Sequence, residues 1–250
     1  MNTYVYGIVA RSRPALPEGL SGVGSPPRPV RVLAEGELAA LVSDAPEDLR
    51  PKRRELLAHQ NVLAEAGAGG CVLPMRFGSA APDDSAVTAV LAERSAHYAE
   101  RLAALDGKAE YNVKAAHVED AVLQLVVSEN AGVRELAEAQ RQSGGGSYEE
   151  RLHLGEMIAD AVKSREAVDA ADLRTALEHV TSAIAAGPES TGWLANVSVL
   201  VDRDAAGDFL AVVDELRQER PHLDVRVNGP LPPYSFVEPG PAEPAAPSGG

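Results

Sequence analysis

Several residue types are scarce in this chain, and each shortage excludes a class of protein. The 250 residues contain a single cysteine, which cannot form an internal disulfide, and no Cys/His cluster is spaced for zinc. A reducing compartment, the cytoplasm, is therefore expected. No window holds the roughly 18 apolar residues that a membrane helix needs, and the first residues lack the basic segment of a secretion signal. The sequence thus predicts neither a membrane span nor export.

Basic residues are also few. The 23 lysines and arginines stand against 37 acidic residues, which gives a formal net charge of −14. Such a chain repels phosphate backbones and anionic lipid headgroups, so nucleic acid is not an expected partner. The apolar content of 45% is nevertheless typical of soluble globular proteins, and the length allows one large domain or two smaller ones.

The first hundred residues combine strand and helix patterns. Residues 4–9 are β-branched or aromatic on both faces, which predicts a central strand. Residues 11–29 hold five prolines and three glycines and are predicted to form an exposed loop. Two apolar runs, 30–34 and 38–42, flank a glycine and predict a β-hairpin.

Two helices and a short strand complete this half. Pro51 suits the first turn of a helix whose apolar face is predicted to hold Leu56, His59, Gln60 and Leu63. After a short apolar run at 71–73, a second helix is predicted with a core stripe formed by Val87, Val90, Leu91, Tyr98, Leu102 and Leu105. These elements predict an N-terminal α/β domain over residues 1–108, with its helices packed on one sheet.

The second half is predicted to contain a long helical hairpin. A strand at 110–117 leads into a helix, and residues 130–142 form another helical stretch before a glycine-rich joint. Ser147 then opens a capping-box pattern, and helical spacing continues to Ala186. A continuous helix of that length would measure about 60 Å, so its apolar face needs a partner helix, as in a coiled-coil hairpin.

The last folded segment reads strand, helix, strand. Alternating residues from 193 to 201 and from 223 to 227 enclose an amphipathic helix. With the strand at 110–117, this arrangement resembles a ferredoxin-like half-sheet. We therefore predict an α+β chain in which residues 109–237 form a modified ferredoxin-like domain, with the helical hairpin inserted at about 119–186. Residues 238–250 are predicted to be a disordered tail.

Few residues suggest catalysis. His59 lies on an apolar helix face with no catalytic partner nearby in sequence, so we interpret it as a packed histidine with a satisfied ring. Cys71 is interpreted as a buried small hydrophobe, and Asp83 with Asp84 as helix-capping carboxylates rather than metal ligands. The glycine clusters match no phosphate-binding motif. No catalytic residue, cofactor or metal site is predicted.

Two features suggest contact with a partner. Lys52, Arg53 and Arg54 stand in the first turn of a helix, where positive charge opposes the helix dipole. Either they form a solvated basic face or they meet an anionic group on a partner. Arg76 and Phe77 stand in a proline-bounded turn at residues 73–78, from which Arg76 could bind carboxylates. A similar aromatic string at 229–236 is predicted to seal the two halves together.

Four segments, in this order, carry a family resemblance: residues 4–9, His59 with residues 73–78, residues 110–114, and residues 229–236. Together they resemble the gas vesicle protein F/L family over nearly the whole folded chain. The resemblance implies a non-enzymatic, cytoplasmic accessory protein of gas vesicle assembly. It also implies contact with the small gas vesicle shell protein, through the N-terminal domain, and an association with other accessory proteins. The loop at 11–29 and the tail are not features of the family.

Alternatives remain open. A ferredoxin-like sheet often binds small molecules, so a regulatory sensor protein is a second hypothesis. An enzyme that uses His59, Cys71 and Arg76 is a third. An F-like and an L-like role are not distinguished. For the accessory role, the candidate partner-binding residues are Lys52, Arg53, Arg54, Arg76 and Phe77.

Overall fold

A computed structural model describes residues 2–12, 16–188 and 191–238. The chain divides into two compact units: residues 1–110 together with the segment that begins at Pro230, and residues 111–229. The predicted tail lies outside the described residues except for Glu238. Within the first unit, a carboxylate oxygen of Glu238 lies 3.5 Å from a guanidinium nitrogen of Arg94.

The first unit is built on a five-stranded sheet. Its strands are β1 (Thr3–Ala10), β2 (Arg31–Glu35), β3 (Leu38–Asp44), β4 (Val72–Pro74) and β5 (Ala80–Ala81). The order is β2-β3-β1-β4, and β5 pairs with β1. The predicted central position of the first strand is confirmed, and so is the hairpin, whose turn places Gly36 at a φ of +56°.

The first helix, α1 (Arg53–Ala68), buries a different face from the predicted one. His59 and Leu63 are buried as expected, but Leu56 and Gln60 are exposed and Glu55 is buried in their place. Hydrogen bonds cause the rotation, because the Glu55 carboxylate accepts a backbone N–H from Gly24 at 2.7 Å. A buried carboxylate with such a donor can occupy a core-facing position that an apolar pattern does not reveal.

The predicted second helix is in fact two helices, α2 (Asp84–Glu93) and α3 (Ser95–Leu105). They meet at Arg94. Val90, predicted in the core stripe, is 44% exposed, while its neighbours Val87 and Leu91 are buried. Neither proline nor glycine marks the break. The capping interpretation of Asp83 is confirmed, since its side chain accepts the Ala86 N–H at 2.8 Å. Asp84 instead accepts hydrogen bonds from Thr3 and Arg31.

The prediction that the proline-rich loop is exposed is wrong for part of its length. Val23 is fully buried, and its backbone N–H donates to the Tyr6 hydroxyl at 2.9 Å. Gly22 and Gly24 are buried beside it. The loop therefore contributes to the core of the first unit, while residues 13–15 lie outside the described residues.

A second sheet has four strands in the order β7-β8-β6-β9. These are β6 (Lys108–His117), β7 (Ala183–Ala186), β8 (Ala195–Asp202) and β9 (Leu223–Leu231), and helix α7 (Ala206–Glu219) connects the last two. Tyr111 of β6 packs against Phe209 of α7 with ring centroids 4.9 Å apart. The chain is thus α+β, as predicted.

Three helices separate β6 from β7: α4 (Glu119–Glu129), α5 (Ala131–Gln142) and α6 (Tyr148–Glu178). Helix α6 contacts both α4 and α5. The prediction that it continues to Ala186 is wrong, because residues 183–186 form β7 and pair with β8. Helical spacing in this alanine-rich stretch cannot reveal a long-range strand partner. Among the described residues, none of the helices combines the length and apolarity needed to cross a bilayer.

Candidate partner-binding surface

An aromatic cluster in the first unit joins the N-terminal strand, α1 and the turn after β4. Tyr4 packs edge-on against Tyr6 at a centroid distance of 4.8 Å, and His59 stacks on Tyr6 at 5.5 Å. Phe77 meets both Tyr4 and His59, at 6.1 and 5.9 Å. Both tyrosines are fully buried. The cluster therefore fixes the position of the turn relative to α1.

Both ring nitrogens of His59 are already engaged. Nδ1 lies 2.9 Å from the Tyr4 hydroxyl, and Nε2 lies 3.1 Å from the backbone oxygen of Met75. Burial lowers the pKa of the His59 imidazole and so favours the neutral ring. The interpretation of His59 as a packed histidine with a satisfied ring is confirmed. Neither nitrogen is available to act as a catalytic base, which weakens the enzyme hypothesis.

The turn at residues 75–79 is held by backbone hydrogen bonds. Met75 N–H donates to the Tyr6 carbonyl at 2.8 Å, and Gly78 N–H donates to the Tyr4 hydroxyl at 3.2 Å. The Arg76 carbonyl accepts the Ser79 N–H at 3.1 Å. The Arg76 residue is exposed, whereas Phe77 is half-buried against the core. Of the two predicted contact residues in this turn, Arg76 faces solvent and Phe77 supports the fold.

The three cations at the start of α1 differ in their surroundings. The Arg54 guanidinium forms an ion pair with Glu55, whose other carboxylate oxygen accepts the Gly24 N–H. The hydrogen bond from Gly24 has the larger effect and the one from Arg54 the smaller, and both lower the pKa of the Glu55 carboxyl below its usual range. Lys52 and Arg53 are exposed, and neither forms an ion pair with any residue that the structure describes. Neither of these two charges is therefore neutralised by a direct ion pair with a described residue at this helix start.

Two leucines extend this basic end of α1. Leu57 is 53% exposed and Leu56 is 37% exposed. They follow Lys52 and Arg53 by about one helical turn, so charge and apolar area share one side of the helix. We call Lys52, Arg53, Leu56 and Leu57 the α1 outer face. Neither leucine was predicted at this surface, because the helical spacing placed Leu56 in the core; a helical plot centred on the buried Glu55 and His59 directs both leucines away from the core.

A cavity of about 520 Å³ lies beside the same helix start. Its lining is mixed in charge, since Arg28, Arg50, Lys52 and Arg54 are interspersed with Glu47, Asp48 and Glu55. A small-molecule sensor would need a polar cavity of this kind, although that hypothesis had placed the ligand in the ferredoxin-like half. The sensor hypothesis therefore stays a prediction.

The aromatic string at 229–236 ends in the first unit. Tyr234 packs against the core that contains Tyr4 and Tyr6, and burial raises the pKa of its hydroxyl to about 12. Ser235 donates from both its N–H and its Oγ to the buried Glu110 carboxylate, each at 2.8 Å. Tyr234 thus adds to the hydrophobic core of the first unit, and Ser235 satisfies the buried Glu110 carboxylate.

Comparison with known proteins identifies relatives over the whole folded chain. Residues 2–238 match the family described as "Gas vesicle synthesis protein GvpL/GvpF". The chain is 62% identical to gas vesicle protein F of Streptomyces sp. (strain CB03234), covering 95% of this chain and 100% of that protein. It is 27% identical to gas vesicle protein L1 of Halobacterium salinarum, over 87% of this chain and 84% of that protein.

Solved structures agree with this similarity. The crystal structure of GvpF from Microcystis aeruginosa superposes with a TM-score of 0.70 at 26% identity, covering 95% of this chain and 99% of that one. GvpF from Anabaena sp. PCC7120 shares the fold, with a TM-score of 0.75 over 95% of this chain and 98% of that one. The family resemblance of the four sequence segments is thereby confirmed, and the chain belongs to the GvpL/GvpF family of gas vesicle synthesis proteins.

Proposed function

We propose that this chain is a non-enzymatic accessory protein of gas vesicle assembly that binds the small gas vesicle shell protein through its first unit. The observation that carries the proposal is the α1 outer face, where two unpaired cations adjoin two exposed leucines. Adjoining exposed leucines beside an exposed arginine supply apolar area and a residue type that is enriched at protein–protein interfaces.

The energetics of the helix start support this assignment. Cations at a helix N-terminus oppose its dipole by about 0.3–1 kcal/mol each at exposed positions. Arg54 pairs with Glu55, and the charge of Lys52 also helps to lower the pKa of that carboxyl, but Arg53 has no ion-pair partner among the described residues. A carboxylate on a bound shell subunit would supply that partner. Exposed Arg76, on a turn tied to α1 through His59, offers a further cation.

We also propose a more specific architecture for the rest of the chain. The second sheet, with its crossover helices, follows the order β-α-β-β-α-β, and its outer strands are β7 and β9. That order supports a modified ferredoxin-like domain, into which α4, α5 and α6 are inserted as a coiled-coil hairpin. We place the protein in the cytoplasm at the growing gas vesicle, in association with the shell protein and other accessory proteins.

Co-purification of the full chain with the tagged shell protein tests the binding surface. The double variant Arg53→Glu/Leu57→Asp reverses one charge and removes one apolar contact on the α1 outer face. Because both positions are exposed, the fold is expected to survive, which circular dichroism would verify. We expect the amount of captured chain to fall at least tenfold.

The matched control carries the same chemical changes in the second unit. Leu152→Asp/Lys163→Glu alters an exposed leucine and an exposed cation on α6. We expect this variant to bind the shell protein like the unaltered chain. Unchanged capture of the α1 variant would reject the α1 outer face as the binding site, and loss of capture by the α6 variant alone would place the site in the second unit.

A further inference from the structure

A buried carboxylate in the second unit gathers two histidines from distant parts of the chain. Asp169, on α6, is fully buried. His117, the last residue of β6, places Nε2 at 2.9 Å from Asp169 Oδ2. His222, just before β9, places its own Nε2 at 3.0 Å from the same oxygen. The nitrogen or oxygen atom that each of the three side chains could offer to a metal ion lies within 4.8 Å of the other two.

We propose that His117, Asp169 and His222 form a binding site for one divalent transition-metal ion of the zinc class. Two imidazole nitrogens and one carboxylate oxygen suit zinc and its neighbours in the first transition row. Ligand atoms on a tetrahedral zinc ion lie about 3.4 Å apart, given bond lengths near 2.1 Å. The two Nε2–Oδ2 distances of 2.9 and 3.0 Å would lengthen by about half an ångström, and the two imidazole nitrogens, within 4.8 Å of each other, would settle at the same spacing.

Crowding around Asp169 Oδ2 favours an ion over hydrogen bonds alone. Besides the two histidines, Arg165 Nε lies 3.1 Å from this same oxygen and equally far from Oδ1, so its N–H is shared between them. Two imidazole N–H groups and this shared N–H would then converge on an oxygen with two lone pairs. A metal ion removes the conflict, because it takes one lone pair of Oδ2 and is bound by the lone pairs of both Nε2 atoms. Arg165 then remains as the hydrogen-bond donor that orients the ligating carboxylate.

The guanidinium groups nearby do not exclude a cation. Arg165 also pairs with Glu129 at 3.2 Å, and Arg220 pairs with Asp172 at 2.7 Å. Together with Asp169, three carboxylates outnumber the two guanidiniums. The same pairing argues against an anion as the ligand, since both guanidiniums already hold carboxylates.

A surface cavity of about 790 Å³ borders one side of the cluster. It is lined by His222 with Arg165, Arg220, Glu129 and Glu219, whereas His117 and Asp169 do not line it. An ion would therefore enter past His222, and three protein ligands leave a fourth position for water. Bound there, the ion would join β6, α6 and the segment before β9, so it would hold the long helix to the sheet.

The unpartnered nitrogen of His117 does not decide between the two states. Its Nδ1 is buried and has no hydrogen-bond partner among the described residues. It is an acceptor without a donor when Nε2 carries the proton, and a donor without an acceptor when Nε2 binds a metal. The convergence of both imidazoles on Asp169 Oδ2 therefore favours the metal-bound state.

Glutamine substitutions separate a metal site from a hydrogen-bonded cluster. His117→Gln and His222→Gln keep an N–H donor for Asp169 but remove the imidazole ligand. The full chain, freed of metal with a chelator and of any affinity tag, would be titrated with ZnCl₂ by calorimetry. We expect one Zn²⁺ per chain, at least tenfold weaker binding in either variant, and a Zn²⁺-dependent rise in Tm that both variants lose. Replacement of zinc by Co²⁺ should give the visible absorption of a tetrahedral site.

His153→Ala is the control, because His153 is an exposed histidine on α6, the helix that carries Asp169. It should bind Zn²⁺ like the unaltered chain. The proposal is overturned if Zn²⁺ does not bind saturably, or if both glutamine variants bind it unchanged. Loss of binding in the His153 variant alone would likewise assign the ion to the surface and reject the buried site.

Discussion

The hydroxyl of Tyr6 accepts the backbone N–H of Val23 at 2.9 Å. Both residues are fully buried, and the same hydroxyl lies 2.9 Å from Ser43 Oγ. A side chain from the central strand thus satisfies the backbone of an irregular loop and attaches it to the sheet. The proline-rich loop depends on this tyrosine for its place in the core.

Tyr6→Phe should destabilise the protein, because the buried Val23 N–H would lose its acceptor. The expected decrease in the free energy of unfolding is about 1–3 kcal/mol. Tyr148→Phe is the control, since Tyr148 is 73% exposed, and a surface change of this kind alters stability by less than about 0.5 kcal/mol. Urea unfolding of both variants would measure the difference; equal stability would mean that the loop hydrogen bond contributes nothing.

Gly22→Ala should also destabilise the first unit. A Cβ at this position would overlap the Tyr6 hydroxyl and ring. Because both residues are buried, we expect a loss of about 1–3 kcal/mol from overpacking. Gly155→Ala is the opposite case: it lies in α6 with nothing near the new Cβ, so stability should rise by about 0.5–1 kcal/mol. Thermal unfolding would show the two shifts in opposite directions.

Asp169→Asn should destabilise the second unit in the absence of added metal. It removes the carboxylate shared by Arg165 and Arg220, which keep Glu129 and Asp172 as partners, so we expect a loss of about 1.5–3 kcal/mol. Burial alone would raise the pKa of the Asp169 carboxyl, but hydrogen bonds from Arg165, His117 and His222 outweigh it and hold the pKa below its usual range. Denaturant unfolding at neutral pH measures the loss.

The same carboxyl predicts how stability depends on pH. Because its pKa is lowered in the folded state, its contribution is fully present above the unfolded value of about 3.9 and is lost as pH falls through the folded value. The unaltered protein should therefore lose stability below about pH 4 more steeply than Asp169→Asn. Parallel curves for the two proteins would show that Asp169 does not link protonation to unfolding.

Ser147→Ala should loosen the start of α6. The Ser147 hydroxyl accepts the Glu150 N–H at 3.2 Å, and the Glu150 carboxylate accepts the Ser147 N–H at 2.6 Å. Loss of such a cap costs about 0.5–2 kcal/mol. Hydrogen exchange at the Glu150 amide should accelerate, while Ser164→Ala, a change within the same helix, should leave that amide unaffected. Unchanged exchange would show that the cap does not hold the first turn.

Local sequence patterns predicted the elements whose causes are local. The hairpin around Gly36, the capping role of Asp83 and the capping box at Ser147 all depend on residues within a few positions. They could be predicted because turn and cap preferences are properties of short segments.

The errors arose where a distant partner decided the outcome. Residues 183–186 became a strand because β8 pairs with them, and α1 turned its Glu55 side inward because Gly24 supplies a donor. His117, Asp169 and His222 are separated by more than fifty positions at each step. One signal was present, since Asp169 lies four and eight positions before the buried Leu173 and Leu177. An acidic residue on such a stripe indicates a buried partner.

The hydrogen bonds between Ser235 and Glu110 impose an order on biosynthesis. During translation, the first unit leaves the ribosome early but lacks Tyr234 and Ser235 until the whole intervening unit has been made. A nascent chain therefore carries an incomplete version of the unit that bears Lys52 and Arg53. The first unit can therefore be completed only after residues 111–229 have been synthesised.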